Sequence, residues 1–314
     1  MQCPYCAALL PDDDLFCEEC GQRLQAPDPQ TSGSGLCLCG APDDQLDSDG
    51  YCLSCGRRCR PAPSDHLETE ISSELAAVSD RGLHHSRNED RFAVHADGDR
   101  SILVVCDGVS NSGNAEEAAA LACECISAAL VKSWSLSDAL AQAERQVAAL
   151  GRPDALGSCP STTVIAAVAT PDHVKIAWLG DSRAYWISQD DATQLTADHS
   201  WMNAVVSSGE LTVTEAAKSP QAHGITRWLG ADAEKDMRPD FVDFSVPGPG
   251  WLLLCTDGLW NHASQPSDMA ALMHECSPEG ATALQIARGL IEFANRNGGQ
   301  DNITAALLRW GAPH

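Results

Sequence analysis

Aromatic side chains are scarce in this chain. Eight tryptophans, five phenylalanines and three tyrosines make up 5% of its 314 residues. Since 44% of the residues are hydrophobic, a core can still form, and it has to be built mainly from Ala, Val, Leu and Ile. Bases are also short. Twenty Lys and Arg stand against 44 Asp and Glu, a formal charge of −24. Phosphate backbones need a basic footprint, so nucleic acid is excluded as a general partner. No apolar run approaches the roughly 18 residues that would span a membrane. The opening "MQCPYCAALL" has no basic segment followed by an apolar one. No membrane anchor or export signal is therefore expected, and the predicted location is cytoplasmic.

Cysteine is plentiful but uneven: nine of the 15 fall within the first 59 residues. Without an export signal, metal ligation in a reducing compartment is the better reading than disulfides. Cys3-Pro-Tyr-Cys6 and Cys17-Glu-Glu-Cys20 form two C-x2-C knuckles, each aiming two thiolates at one ion. Gly21 follows the second, where a tight turn lets backbone amides approach sulfur. A second set, Cys37, Cys39, Cys52 and Cys55, has a first knuckle one residue short, and Cys59 is a spare thiol that competes for a ligand place. These segments resemble tandem zinc ribbons. Four thiolates suit a closed tetrahedral Zn²⁺, so two structural zinc ions are predicted, with no open position for catalysis. A redox C-x2-C pair would come with a thioredoxin-like βαβ pattern, which is missing here. The acidity around the cysteines ("PDDDLFCEEC", "APDDQLDSDG") favours a protein partner or structural support as the ribbons' role.

Composition divides the chain further. "APDPQTSGSG" (26–35) and "RPAPSDHLETE" (within 60–70) read as linkers. They separate a ribbon at 1–25, a ribbon-like module at 36–60 and a larger domain at 71–312. Within that domain, strand-like runs cover Leu75–Val78, Arg91–His95, Ile102–Cys106, Thr163–Ala169, Val174–Leu179, Ala184–Ile187, Phe241–Val246, Trp251–Cys255 and Ile303–Leu308. Helix-like runs cover Ala115–Lys132, Leu136–Leu150, Pro266–Cys276 and Ala281–Asn297. Strands come in groups rather than alternating with helices, which predicts an α+β fold with antiparallel sheets.

Two of these strands end alike. "LVVCDGV" runs an apolar strand into Asp107-Gly108, and "LLLCTDGLW" runs another into Asp257-Gly258. Asp301, in "GGQDNITAALL", opens a third strand, and Glu89 and Asp90, in "RNED", enter a fourth. An Asp-Gly pair after one strand is an ordinary turn. Four strands delivering acids from their ends point to one shared site. Buried like charges repel, and a pair of divalent cations relieves the repulsion. Hard oxygen ligands select Mg²⁺ or Mn²⁺. Gly108, lacking a side chain, lets its carbonyl approach an ion closely.

The order of "SDRGLHHSRNED", "VVCDGVSNSGNAEEAA", "STTVIAAV", "AWLGDSRAYWI", "LTADHS", "SSGELTVTEA", "ITRWLGA", "LLLCTDGLWN" and "GGQDNITAALLRW" resembles the metal-dependent serine/threonine protein phosphatases of the type 2C (PPM) family over about residues 71–310. The resemblance implies a β-sandwich of two antiparallel sheets flanked by helices, with a dinuclear Mn²⁺ or Mg²⁺ centre at one end. It implies that Asp107 bridges both ions, that Glu89 and the Gly108 carbonyl ligate one, and that Asp257 and Asp301 hold the other. Asp90 would orient water from behind the ligands, and Asn302 would support Asp301. The implied activity is hydrolysis of phosphoserine and phosphothreonine on proteins, the products of a Ser/Thr kinase. Cys106 and Cys255 read as small core residues. Asp181 and Arg183 of "GDSRAY" would lock a turn, and the stretch from "ADHS" to "TEAA" corresponds to a flap beside the active site.

The chain departs from the family in three places. An Arg that binds substrate phosphate is replaced by His85, and Arg87 is the candidate substitute if the segment is a strand, where a two-residue step keeps the face. Val109 stands where a His is found in some members. An acid expected before the Thr-Thr motif has no clear equivalent, with Ser158 near that place and Asp154 further back, so no third metal is assigned. Two other functions compete: a catalytically weak phosphoprotein-binding module, and a hydrolase of a small phosphoester.

Overall fold

The computed structural model describes residues 37, 39, 42–46, 50–56, 59, 62–110, 112–151, 159–189, 191–231 and 238–311. The chain divides after Ala62 into two units. In the first, a turn at Asp43–Gln45 leads to a bridge between Leu46 and Cys52. Leu46 packs there against the buried Cys37 and Cys52.

The second unit begins at Pro63. It runs through β1 (His66–Ser72), β2 (Leu75–Asp80), β3 (Asp90–Asp97), β4 (Arg100–Asp107), α1 (Ala115–Val131) and α2 (Leu136–Leu150). Then come β5 (Ser161–Thr162), β6 (Val164–Ala169), β7 (His173–Leu179), β8 (Arg183–Ile187), β9 (Ala192–Gln194), α3 (Trp201–Ser207) and α4 (Val213–Ala216). It finishes with β10 (Leu229–Gly230), β11 (Asp240–Ser245), β12 (Gly250–Cys255), α5 (Asp257–Trp260), α6 (Pro266–Cys276), α7 (Ala283–Arg296) and β13 (Ile303–Trp310).

One sheet has the order β1-β2-β13-β12-β8-β9 and the other β11-β7-β6-β4-β3, with a short β10-β5 pair beside them. Their ladders are antiparallel, as the grouping of strands predicted. The sheets face each other across Leu75, Leu103, Val105, Ile165, Leu252 and Leu254. On the outer face of the six-stranded sheet, Val78, Leu253 and Leu307 pack under α6 and α7. On the outer face of the other, Ile102, Val104 and Ala166 pack under α1 and α2. The result is a four-layer α-β-β-α sandwich.

This layering explains the unbroken apolar runs. Side chains alternate between faces along a strand. In β4, Leu103 and Val105 point between the sheets, while Ile102, Val104 and Cys106 point toward the helices. Both faces of a central strand are buried, so both must be apolar. Cys106 and Cys255 are fully buried in these layers, as expected of small core residues.

The structure differs from the sequence reading at β1. Residues 66–70, expected within a linker, form an edge strand paired with β2 from His66↔Asp80 to Ser72↔Leu75. Its sequence, HLETEIS, is polar because an edge strand covers little core and because charge on an edge discourages pairing with other chains. Glu68 is held by the Arg288 guanidinium of α7, with Nε at 2.8 Å. No helix among the described residues is long and apolar enough to cross a membrane.

β1 should therefore matter to the sandwich. A chain beginning at Pro63 should melt close to the temperature of the full protein. One beginning at Ser73 bares the edge of β2 and should melt lower and associate at higher concentration, as read by calorimetry and light scattering. Equal melting of the two truncated chains would show that β1 contributes nothing to stability.

Candidate metal centre

The acids predicted from strand ends come from both sheets and meet at one end of the sandwich. Asp90 and Asp107 are register partners where β3 begins and β4 ends. In the facing sheet, Cys255 pairs with Ala305. Two residues past β12, Asp257 opens α5, and Asp301 lies two residues before β13. Asp90 joins the two sheets. Its Oδ2 accepts from the hydroxyls of Thr256 (2.9 Å) and Thr304 (2.7 Å), both in the six-stranded sheet's segments. Thr304 Oγ1 also lies 2.8 Å from Ser79 Oγ, which accepts from Asn88 Nδ2 at 2.9 Å. The other oxygen of Asp90, Oδ1, is buried with no hydrogen-bond partner.

The glycines after the two aspartates sit where backbones nearly touch. A Cβ on Gly258 would lie 2.0 Å from the Asn302 carbonyl oxygen. One on Gly108 would meet the carbonyl oxygens of Ala115 at 2.7 Å and Glu89 at 2.9 Å. Each Asp-Gly pair is thus a packing requirement as well as a turn: any larger residue would push the acid's own strand away from the next.

Electrostatics mark the same place. Asp107 and Asp257 keep an edge open to solvent but are otherwise enclosed. Burial pushes the Asp107 carboxyl well above its ordinary value, and the charges of Asp90 and Asp257 add to it. Burial does the same to Asp257, with Asp181 and Asp301 adding repulsion. Asp90 is pushed up to about 7 by burial, against the help of its two hydroxyl donors. These are groups whose ionised form lacks a counter-charge. Together with the orphaned Asp90 Oδ1, they fit divalent cations bound by oxygen ligands.

Asp181 does more than the expected locking of the GDSR turn, where its carbonyl accepts from Trp260 Nε1 at 2.9 Å. It is buried, pushed up to about 6 by burial and then by Asp198, and its charge acts on Asp107 and Asp257. The signal was available in the sequence: "AWLGDS" is another apolar strand running into an acid. Arg183 locks the turn as well. It clamps both oxygens of Asp198 (2.9 and 2.7 Å), donates to the Ser264 carbonyl, and stacks 3.7 Å over the Trp260 ring. The adjacent His199 anchors the flap to the same turn. Its Nδ1 accepts from the Gly180 amide at 3.1 Å and its own amide donates to the Gly180 carbonyl at 2.9 Å. The flap carries α3 and α4, neither predicted, each begun by a hydroxyl cap, Ser200 and Thr212.

The segment of His85 and Arg87 is a loop, not a strand; β3 starts only at Asp90. The two-residue step that would put Arg87 on the face of His85 therefore does not apply. Asn302 holds the loop instead. Its Nδ2 donates to the carbonyls of Arg81 (2.8 Å) and Arg87 (3.0 Å), and its Oδ1 accepts from the Glu89 amide (2.8 Å). His85 Nε2 lies 3.2 Å from Asp301 Oδ1. The Arg87 side chain is exposed. Glu89 accepts from Ser110 Oγ at 2.7 Å, and Gly108 donates to the Glu89 carbonyl at 3.2 Å. Asp154 and Ser158 lie outside the described residues, as do Cys3, Cys6, Cys17 and Cys20.

The other four ribbon cysteines do come together. Sγ of Cys37 lies 3.4 Å from that of Cys55, and Sγ of Cys39 lies 3.6 Å from that of Cys52. Among the described residues this is the only set of three or more potential ligand atoms within 4.8 Å of one another. The backbone amide of Cys39, then the Cys59 thiol, hold Cys37 down to about 6. The acids of the sandwich form a wider basin, in contrast to this closed set.

A sandwich of two antiparallel sheets between helical layers, with acids gathered where strands of both sheets end, defines the PPM class of phosphatases. The chain belongs to the protein phosphatase 2C family, whose model matches residues 82–287, and it is a serine/threonine protein phosphatase. It is similar to the serine/threonine phosphatase stp of Listeria innocua, 28% identical over 242 residues, which are 73% of this chain and 93% of the relative. It is 32% identical over 241 residues to the serine/threonine protein phosphatase PstP of Mycobacterium tuberculosis, 74% of this chain and 44% of that protein. The crystal structure of the phosphatase Stp1 from Staphylococcus aureus superposes with a TM-score of 0.66 at 27% identity, over 79% of this chain and 98% of that one. The catalytic domain of PstP in complex with two manganese ions superposes at 0.59 with 28% identity, over 76% of this chain and 98% of that one.

The raised carboxyls have a consequence for stability. Between the ordinary carboxyl value of 3.8 and the folded values of about 6 for Asp181 and about 7 for Asp90, the folded chain binds protons that the unfolded chain does not. Their contribution is therefore greatest at low pH and is lost as pH rises through about 6 to about 7. Glu68, held down to about 2 by its hydrogen bond to Arg288, works in the opposite direction, but only below the ordinary carboxyl range. Protein stripped of divalent cations should thus resist urea better at about pH 5 than at about pH 8. Added Mn²⁺ should flatten or reverse the difference. Cation-free protein that is more stable at the higher pH would contradict the repulsion described here.

Proposed function

We propose that the chain hydrolyses phosphoserine and phosphothreonine on proteins at a dinuclear Mn²⁺ or Mg²⁺ centre. The observation that carries this reading is the basin of buried, mutually repelling acids with an unpartnered oxygen on Asp90. Asp107 would be shared between two ions, Glu89 and the Gly108 carbonyl would complete one, and Asp257 and Asp301 would hold the other. Bound there, the cations supply Lewis acidity that makes water a nucleophile at neutral pH and offsets charge on the phosphoryl oxygens.

The chain's own groups do the rest. Asp90 is fixed behind the basin by Thr256 and Thr304, so its free Oδ1 can accept a hydrogen bond from water. Asp181 adds negative charge from the GDSR turn. Arg87, on the exposed loop held by Asn302, is the cation that would bind the substrate phosphate. No nucleophilic side chain is needed, and the two cysteines near the acids are inert: burial pushes Cys106 well above its ordinary value and does the same to Cys255. The flap between β9 and β10 would meet the polypeptide around the phosphorylated residue.

The four clustered sulfurs of Cys37, Cys39, Cys52 and Cys55 suit a structural Zn²⁺, with a second such ion expected on Cys3, Cys6, Cys17 and Cys20. This zinc-bearing region is the part that would contact a protein partner. The phosphatase would act in the cytoplasm, opposing a Ser/Thr kinase in signalling.

Turnover of p-nitrophenyl phosphate should require added Mn²⁺ or Mg²⁺ and stop on chelation. Asp107→Ala, Asp257→Ala and Asp301→Ala should each lose nearly all turnover while keeping the circular dichroism of the parent. An Asp257→Ala protein with parental turnover would sink the assignment. Separately, elemental analysis of protein purified under reducing conditions should find two tightly held zinc ions, one of which is lost when Cys52 and Cys55 are both changed to Ser. Zinc-free parent protein would remove the ribbon reading and leave the phosphatase reading standing.

A further inference from the structure

The loop before β3 is pinned against the start of β13 on both sides of His85. The Leu83 amide donates to the Gly299 carbonyl at 2.8 Å, and Asn302 binds the carbonyls of Arg81 and Arg87 and the amide of Glu89. The Arg81 guanidinium donates to the carbonyl of His85 itself. Gly82 approaches so closely that a Cβ there would lie 2.1 Å from the Asp301 carbonyl oxygen. The position of the His85 ring beside Asp301 is thus set by its neighbours in the loop.

At 3.2 Å, Nε2 of His85 faces Oδ1 of Asp301. The two groups approach as an ion pair rather than through an aligned hydrogen bond. Asp301 Oδ1 accepts from the Asn302 amide at 2.8 Å. The amide and the imidazole thus both face Oδ1, while Oδ2 has no hydrogen-bond partner among the described residues.

We infer that His85 is a positioning residue: it fixes Asp301 through Oδ1 so that Oδ2 is left to hold a divalent cation. The inference rests on the metal-dependent reading above and deepens it. It assigns the two candidates on the loop different work, with His85 serving the metal side and Arg87 the substrate side. Groups that hold a ligating carboxylate from behind govern cation affinity through its orientation.

The test is titration of the cation-free full chain with Mn²⁺, followed by the electron paramagnetic resonance signal of the free ion. His85→Ala should weaken one Mn²⁺ site about 10- to 100-fold and leave the other unchanged. His85→Gln, whose amide N–H can reach Asp301 in place of Nε2, should restore most of the affinity. At saturating Mn²⁺ the His85→Ala protein should show an unchanged KM for p-nitrophenyl phosphate. Arg87→Ala should give the reverse: parental Mn²⁺ affinity and a raised KM. Parental Mn²⁺ affinity in a folded His85→Ala protein would overturn the inference, and so would a raised KM at saturating Mn²⁺, which would make His85 a phosphate ligand. Parent protein that binds no Mn²⁺ would overturn the metal-dependent reading as well, which distinguishes the two failures.

Discussion

The acidic end of the sandwich depends on one carboxylate that belongs to one sheet and is bonded to the other. Asp90 starts β3, yet both donors to its Oδ2 come from the ends of β12 and β13. A buried carboxylate without donors would cost several kcal/mol, so these hydroxyls are what allow an acid to sit between the sheets at all. By fixing Asp90, they also fix the distance between its register partner Asp107 and the facing pair Asp257 and Asp301. The like charges that result are kept close by the packing of two whole sheets, and the repulsion among them is what gives the site its appetite for cations.

Around that end, backbone contacts leave little freedom. Gly258 lies against Asn302, Gly108 against Ala115 and Glu89, and Asn302 in turn binds the loop that carries His85 and Arg87. Few side chains thus serve single purposes. Asn302 is at once the support of the loop and the source of the backbone amide on Asp301. The GDSR turn is built the same way. Arg183 uses Asp198, Ser264 and the Trp260 ring to hold the turn, and the turn holds Asp181 toward the acids and His199 at the root of the flap. The loop at 81–89 and the flap are therefore attached to the same residues that place the charge.

Much of this was legible in advance, and the reason differs from element to element. The central strands were plain because four layers bury both faces, leaving apolar runs such as "ILVVC" and "LLLC" that end abruptly in acids. The long helices were plain because their apolar stripes and caps agree, as with Ser135 and Thr282. β1 was taken for a linker because an edge strand buries little and is written in polar residues. Strand geometry could be entertained for the step from His85 to Arg87 because a short polar stretch has no periodicity to contradict it. The charge that Asp181 adds to the acids is hidden in a turn motif whose arginine and backbone contacts already explain it structurally.

The sequence by itself determined which residues are apolar and where each apolar run stops. That is enough to specify two layers of antiparallel strands, the helices that cover them, the acids at the strand ends and the paired cysteines. Local chemistry governs all of these, since burial and periodicity are written residue by residue. Only the tertiary structure decided which acids share a field, because Asp90, Asp107, Asp181, Asp257 and Asp301 are brought together by contacts between segments up to 200 or so residues apart. It alone set His85 against Asp301 rather than in open solvent, since that placement comes from Asn302 and Gly82 meeting across the sheet end, and no local pattern encodes such a meeting.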